Sequence, residues 1–240
     1  MVKRSIFFVL LMVATFFAQI GYGHHLWVIE TDDGYMVCRG MAPGRLDSYD
    51  PACVKEFRAF GSDGTTIPSE SIQRIEDPDR VRFQIPGKAS LIGVSCDWGY
   101  RVNTTEGKKL LTRIEAEKAG LRVLESFFST QFAVVLFNEG IWTGTPLGMR
   151  FELVPLRNPL HISVAGQLPV QAFFEGQPVA NTAIFTEGGL AFQTDRMGVA
   201  NVKIVEEGLQ LLMARLKIPV RGDPQKDYHV YTTFFVYEIK

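Results

Sequence analysis

Neither sign of charge is in excess in this chain, with 26 acidic against 25 basic residues, and no run of Lys or Arg forms a stripe. That balance excludes a basic nucleic-acid-binding face. Cysteine is scarce. Only Cys38, Cys53 and Cys96 occur and no CxxC pair is present, which removes a zinc knuckle. GxSxG, HExxH, P-loop and GxGxxG patterns are all missing, so the common hydrolase, metallopeptidase and nucleotide-binding signatures fall away and the chain does not read as an enzyme. Beyond residue 23, no apolar run approaches the roughly twenty residues that a membrane-spanning helix needs.

The one long apolar run lies at the start, in "MVKRSIFFVLLMVATFFAQIGYG". Lys3 and Arg4 precede an apolar stretch from Ile6 to Ile20, and Gly21 and Gly23 put small residues at the −3 and −1 positions. This layout predicts a cleavable signal peptide over residues 1–23, and hence a periplasmic or secreted protein. In an oxidising compartment three cysteines predict one disulfide and one thiol. All three pairings are open: Cys38 with Cys53 is the most local, while Cys38 and Cys96 lie in strand-like runs that would be neighbours across a sheet.

Short runs rich in β-branched and aromatic residues fill the rest, among them "HHLWVIE", "GYMVCRG", "VKEFRAF", "ASLIGVSCDW", "TQFAVVLF" and "YHVYTTFFVYEI". Gly, Pro, Asp and Asn punctuate them, which predicts a mainly β protein of antiparallel sandwiches. "EGKKLLTRIEAEKAGLRVLESFF", residues 106–128, is rich in helix formers and has Leu121, Leu124 and Phe128 at helical spacing, so a helical insertion is expected there. The prolines and Asn158 of "VPLRNPLHIS" suggest a boundary between an N-terminal domain, 24–154, and a C-terminal sandwich, 155–240. In the latter, "FEGQPVANTAIFTEG" and "QTDRMGVANVKI" resemble the immunoglobulin-like sandwich of transthyretin or of carboxypeptidase regulatory domains. Asp195 and Gly198 there read as turn residues rather than ligands.

Candidate chemistry concentrates at "GHHLW". Cleavage after Gly23 makes His24 the new N-terminus. Its α-amine, with a reference pKa of about 7.7–8.0, joins Nδ1 of the same ring in a six-membered chelate. His25 adds a second imidazole, and nitrogen-rich sites of this kind suit nickel, cobalt, copper or zinc. Further candidate ligands are His229, preceded by Asp227 and Tyr228, then His161 at the expected domain junction, and Cys96 with Asp97. Two other readings compete. A copper oxygenase would brace the metal between His24 and a distant histidine such as His229, and a metal-free β-sandwich scaffold would be indifferent to its terminal residue.

The order of "HHLWVIE", "SCDWGYRVNTTEGKK", "FELVPLRNPLHISVAGQLPVQAFFEGQPVANTAIF" and "DYHVYTTFFVYEI" resembles a periplasmic family associated with nickel and cobalt uptake, the NikK type. The resemblance implies a two-part β-rich protein that presents nickel or cobalt to a membrane permease. It matches His24 to the family's leading histidine and Trp27 to its aromatic partner. Where many members carry a Gly-His-Gly-like turn, this chain reads "CRGMAPG", with Arg39 near the histidine's place, a departure that counts against the metal assignment or shifts ligation towards Cys38.

Overall fold

The computed structural model describes residues 24–140 and 144–239. The expected signal peptide, 1–23, lies outside the described residues. The chain is mainly β. Its first strands are β1 (His25–Thr31), β2 (Gly34–Met41), β3 (Arg45–Leu46), β4 (Val54–Phe60), β5 (Gln73–Asp77) and β6 (Arg80–Gln84). Next come β7 (Leu91–Thr104), β8 (Gly107–Lys109), the helix α1 (Arg113–Lys118), β9 (Val123–Leu136), β10 (Phe151–Pro155) and β11 (Gln167–Phe174). The chain closes with β12 (Gln177–Pro178), β13 (Ala183–Thr186), β14 (Ala191–Gln193), β15 (Val199–Lys203), β16 (Gly208–Pro219) and β17 (Tyr228–Ile239).

These strands form three sheets. The central one runs β14-β13-β16-β17-β9-β7-β4, with β8 paired to β7. One outer sheet runs β1-β2-β6-β5 with β3 on β2, and the other joins β10, β11, β12 and β15. Alternation along the central strands sends side chains to both faces. Ile92, Val94, Ala133, Phe234 and Val236 pack with Leu26, Val37 and Val81 of the first outer sheet. Leu91, Val134, Leu136, Phe235 and Tyr237 pack with Leu153, Val170 and Val202 of the second. Burial on both faces explains why "FAVVL" and "FFVY" are apolar without alternation.

The middle sheet draws strands from both sides of the expected boundary at 154/155, because β17 pairs in parallel with β9, Thr232 lying opposite Gln131. The helical insertion is far smaller than residues 106–128. Thr112 and Glu115 close a reciprocal capping box at its start. At its end Gly120 takes φ +75°, and the Leu121 N–H bonds to the Ala116 carbonyl, 3.0 Å, a six-to-one closure that stops the helix. The spacing of Leu124 and Phe128 belongs instead to β9, with Leu124 exposed.

The turn assignment for Asp195 and Gly198 holds. Asp195 Oδ1 accepts from the backbone N–H of Met197 and Val199, and Gly198 takes φ +77°. All three cysteines are free thiols. Cys38 and Cys96 are not neighbours across one sheet, because β2 and β7 belong to different sheets. Asn103 is a strand residue of β7 whose Nδ2 donates to Glu125. Among the described residues no helix is long and apolar enough to cross a membrane.

Candidate functional site

His24 lies at the entry to β1, its side chain half-exposed. Two contacts fix its position. Nε2 lies 2.9 Å from Asp47 Oδ2, and its backbone carbonyl accepts from Gln131 Nε2 at 3.0 Å. A carboxylate can only accept, so the neutral ring carries its proton on Nε2 and its lone pair on Nδ1. Nδ1 is 3.4 Å from the Arg39 guanidinium, a donor, which agrees with that tautomer. Burial, then the charge of Arg39, holds the His24 pKa below 6.5, with Asp47 opposing them.

The lock on His24 continues inward. Gln131 Oε1 accepts from Trp98 Nε1 at 2.8 Å, and the Arg39 guanidinium lies 4.9 Å over the Trp98 ring. Trp98 also meets Tyr49 edge-on at 5.7 Å. Next to Trp98, the β7–β9 register shifts between Asp97 and Gly99, with Gly99 at φ +74°. This bulge decides where Arg101 goes. Three residues along a regular strand would put Trp98 and Arg101 on opposite faces, but the extra residue returns Arg101 to the Trp98 face. Burial first, and then Arg39, lowers the Arg101 pKa.

The remaining predicted ligands are dispersed. His25 points into the core, 2 % exposed, where its Nδ1 accepts from the Ala42 N–H at 3.3 Å and its ring tilts against Phe234. Burial, followed by His24, lowers its pKa. His161 is exposed, with Nε2 2.7 Å from Glu139 Oε1. Cys96 is fully buried, and burial raises its thiol well above the ordinary value; burial likewise pushes Cys38 up to about 12. Neither supplies a thiolate readily near neutral pH.

His229 and Asp97 do meet, through Thr130. Thr130 Oγ1 donates to Asp97 Oδ1 at 2.7 Å, so its other contact, 2.9 Å from His229 Nε2, is one in which the ring donates. The His229 ring stacks on Tyr231 at 4.0 Å and 4°. This chain of bonds stands apart from His24. Gln131 reaches His24 from one face of the central sheet, while its strand neighbour Thr130 reaches His229 from the other. His24 therefore gains no second imidazole, either from His25 or from His229. Among the described residues, no group of three or more His, Cys, Asp or Glu side chains is gathered to hold a metal ion.

Asp47, Gln131, Trp98 and Arg101 are the site residues that sequence reasoning missed. "RLDSYDP" reads as a loop, and the only trace of the bulge is "DWG", where a glycine interrupts a strand. A groove of about 650 Å³ lies away from His24 along β1, lined in part by Trp27, Glu30, Glu139 and Leu209.

Fold and site together define a three-layer β protein with a histidine at the entry of its first strand, backed by one carboxylate and two arginines. The chain belongs to a family described as a domain of unknown function, DUF4198, whose model matches residues 22–218. That match takes in His24, Arg39, Asp47 and Arg101 and stops short of β17. No curated protein and no solved structure matches the chain.

Proposed function

We propose that the protein is a non-catalytic, extracytoplasmic carrier of a divalent transition metal, nickel or cobalt, which it passes to a membrane uptake permease. The ion is held where a chain processed after Gly23 begins, by the α-amine and Nδ1 of His24. The observation that carries this reading is the 2.9 Å contact between His24 Nε2 and Asp47. It places the ring's lone pair on Nδ1, the nitrogen that closes a chelate with the amine of its own residue once the ion displaces the Arg39 guanidinium 3.4 Å away, and it supplies the carboxylate partner that orients metal-binding imidazoles. His25 fixes the entry of β1 as a core residue in this reading and is not a ligand. Hand-over follows by ligand exchange, which a half-exposed side chain at a chain end permits.

The test is calorimetric titration with nickel(II) and cobalt(II) of protein beginning at His24 and of protein with one residue added before it. The amine site predicts at least a tenfold loss of affinity in the extended form. Equal affinities would show the site to be wrong, and a lack of binding below millimolar concentration in both forms would favour the metal-free scaffold.

A further inference from the structure

Arg39 and Arg101 are two arginines on this face that lack a carboxylate partner among the described residues; Lys55 nearby likewise has only the Ala52 carbonyl. Arg39 has the His24 ring, the Ser48 carbonyl at 3.5 Å and the Trp98 face; Arg101 has the neighbouring Tyr100 carbonyl at 2.8 Å. Elsewhere Arg58, Arg74, Arg80, Arg82 and Arg113 each have an acidic partner, whereas Arg215, also buried, has only the Thr232 hydroxyl. Arg101 is half-buried and the register shift at Trp98 aims it at the Arg39 side, although that brings two like charges together. Arg45 adds a third positive group, paired with Asp47. The processed α-amine would add a fourth. A hydrated divalent cation approaching His24 thus meets more positive than negative charge, which disfavours it unless an anion accompanies it.

We propose that Arg39 and Arg101 form a clamp for a carboxylate anion, and that the ion carried at His24 arrives as a complex with a small polycarboxylate. The planar guanidinium forks match a carboxylate in two-point contact, and the Trp98 ring beneath Arg39 holds one fork in place. A chelating polycarboxylate can bind the ion through some of its oxygens and present another carboxylate to the arginines. The nickel or cobalt part of this proposal rests on the amine site at His24; the clamp rests only on the two arginines.

Equilibrium dialysis of protein beginning at His24 against radiolabelled nickel(II) and carbon-labelled citrate, separately and together, tests both parts. The expected result is co-retention of one nickel and one citrate. Arg101→Gln and Arg39→Gln should each weaken citrate retention at least tenfold, while Arg101→Lys, which keeps the charge and loses the fork, should fall between. Thermal melts confirm that each variant is folded. Citrate retained equally by the wild type and the folded arginine variants would overturn the clamp, as would nickel retained without citrate at saturating citrate; the latter leaves the amine site standing. Citrate lost from the arginine variants, but retained by wild type regardless of nickel, would support the clamp and overturn the shared complex, and nickel retained equally by protein with an added N-terminal residue would remove the amine site.

Discussion

Replacing Gln131 with Met keeps the side-chain volume nearly unchanged and removes two polar contacts, one to Trp98 within the central sheet and one that joins this sheet to the start of β1. Gln131 is 7 % exposed and bonds on one side to Trp98 Nε1, 2.8 Å, and on the other to the His24 carbonyl, 3.0 Å. Each such bond contributes about 1 kcal/mol net, and leaving the indole N–H of the buried Trp98 without a partner adds on the order of 1 kcal/mol or more. Methionine recovers part of this by burying its thioether, so the expected loss is about 2–3 kcal/mol. For a chain of this size that lowers the melting temperature by roughly 5–10 °C. The assay is paired thermal and urea unfolding of wild type and Gln131→Met, with nickel titration of the same samples. Affinity should fall along with stability, because the His24 backbone is no longer held. A stability loss below about 0.5 kcal/mol would refute the reasoning, since the polar lock would then carry no weight.

Other consequences are as direct. Tyr237 is 1 % exposed and its hydroxyl has no hydrogen-bond partner among the described residues; Tyr237→Phe should therefore stabilise the protein by about 1 kcal/mol in urea unfolding, and a loss of similar size would contradict it. The pKa values of His24, His25 and His229 are all lowered from 6.5 in the fold, burial being the largest cause for each. The unfolded chain then binds more protons below about pH 6.5, so these rings contribute fully above that pH and the stability is lost as pH falls through their folded values. Urea midpoints should drop between pH 7.5 and 5.5, and His25→Asn, which keeps an acceptor for the Ala42 N–H, should flatten that drop; an unchanged slope would count against it. Asp47→Asn should weaken nickel binding by about ten- to a hundredfold with little change in the melting temperature, whereas unchanged affinity would remove Asp47 from the site.

Much of the strand content was legible because alternation and turn residues are local signals. The apolar runs now in β7, β9 and β17 also held a further clue: strands without alternation are buried on both faces. What local signals do not carry is pairing. The parallel contact of β17 with β9 joins residues about a hundred positions apart, and it turns two expected sandwiches into three layers sharing one sheet. The helix was overextended because Leu121, Leu124 and Phe128 fit a helical stripe, while the capping pair Thr112 and Glu115 and the stop at Gly120 mark its true limits. In the site, His24 stood out through its place after an expected cleavage point. Arg101 did not, because strand alternation assigns it to the wrong face until the bulge at Trp98 is known.

The proposed ion site is made by the amine and Nδ1 of His24. Crystals of protein processed to His24 and loaded with nickel, measured on either side of the nickel absorption edge, test this most directly. The expected result is an anomalous peak within bonding reach of those two nitrogens, with Asp47 still on Nε2. A peak at His229 and Asp97, or at Nε2 with Asp47 displaced, would contradict it.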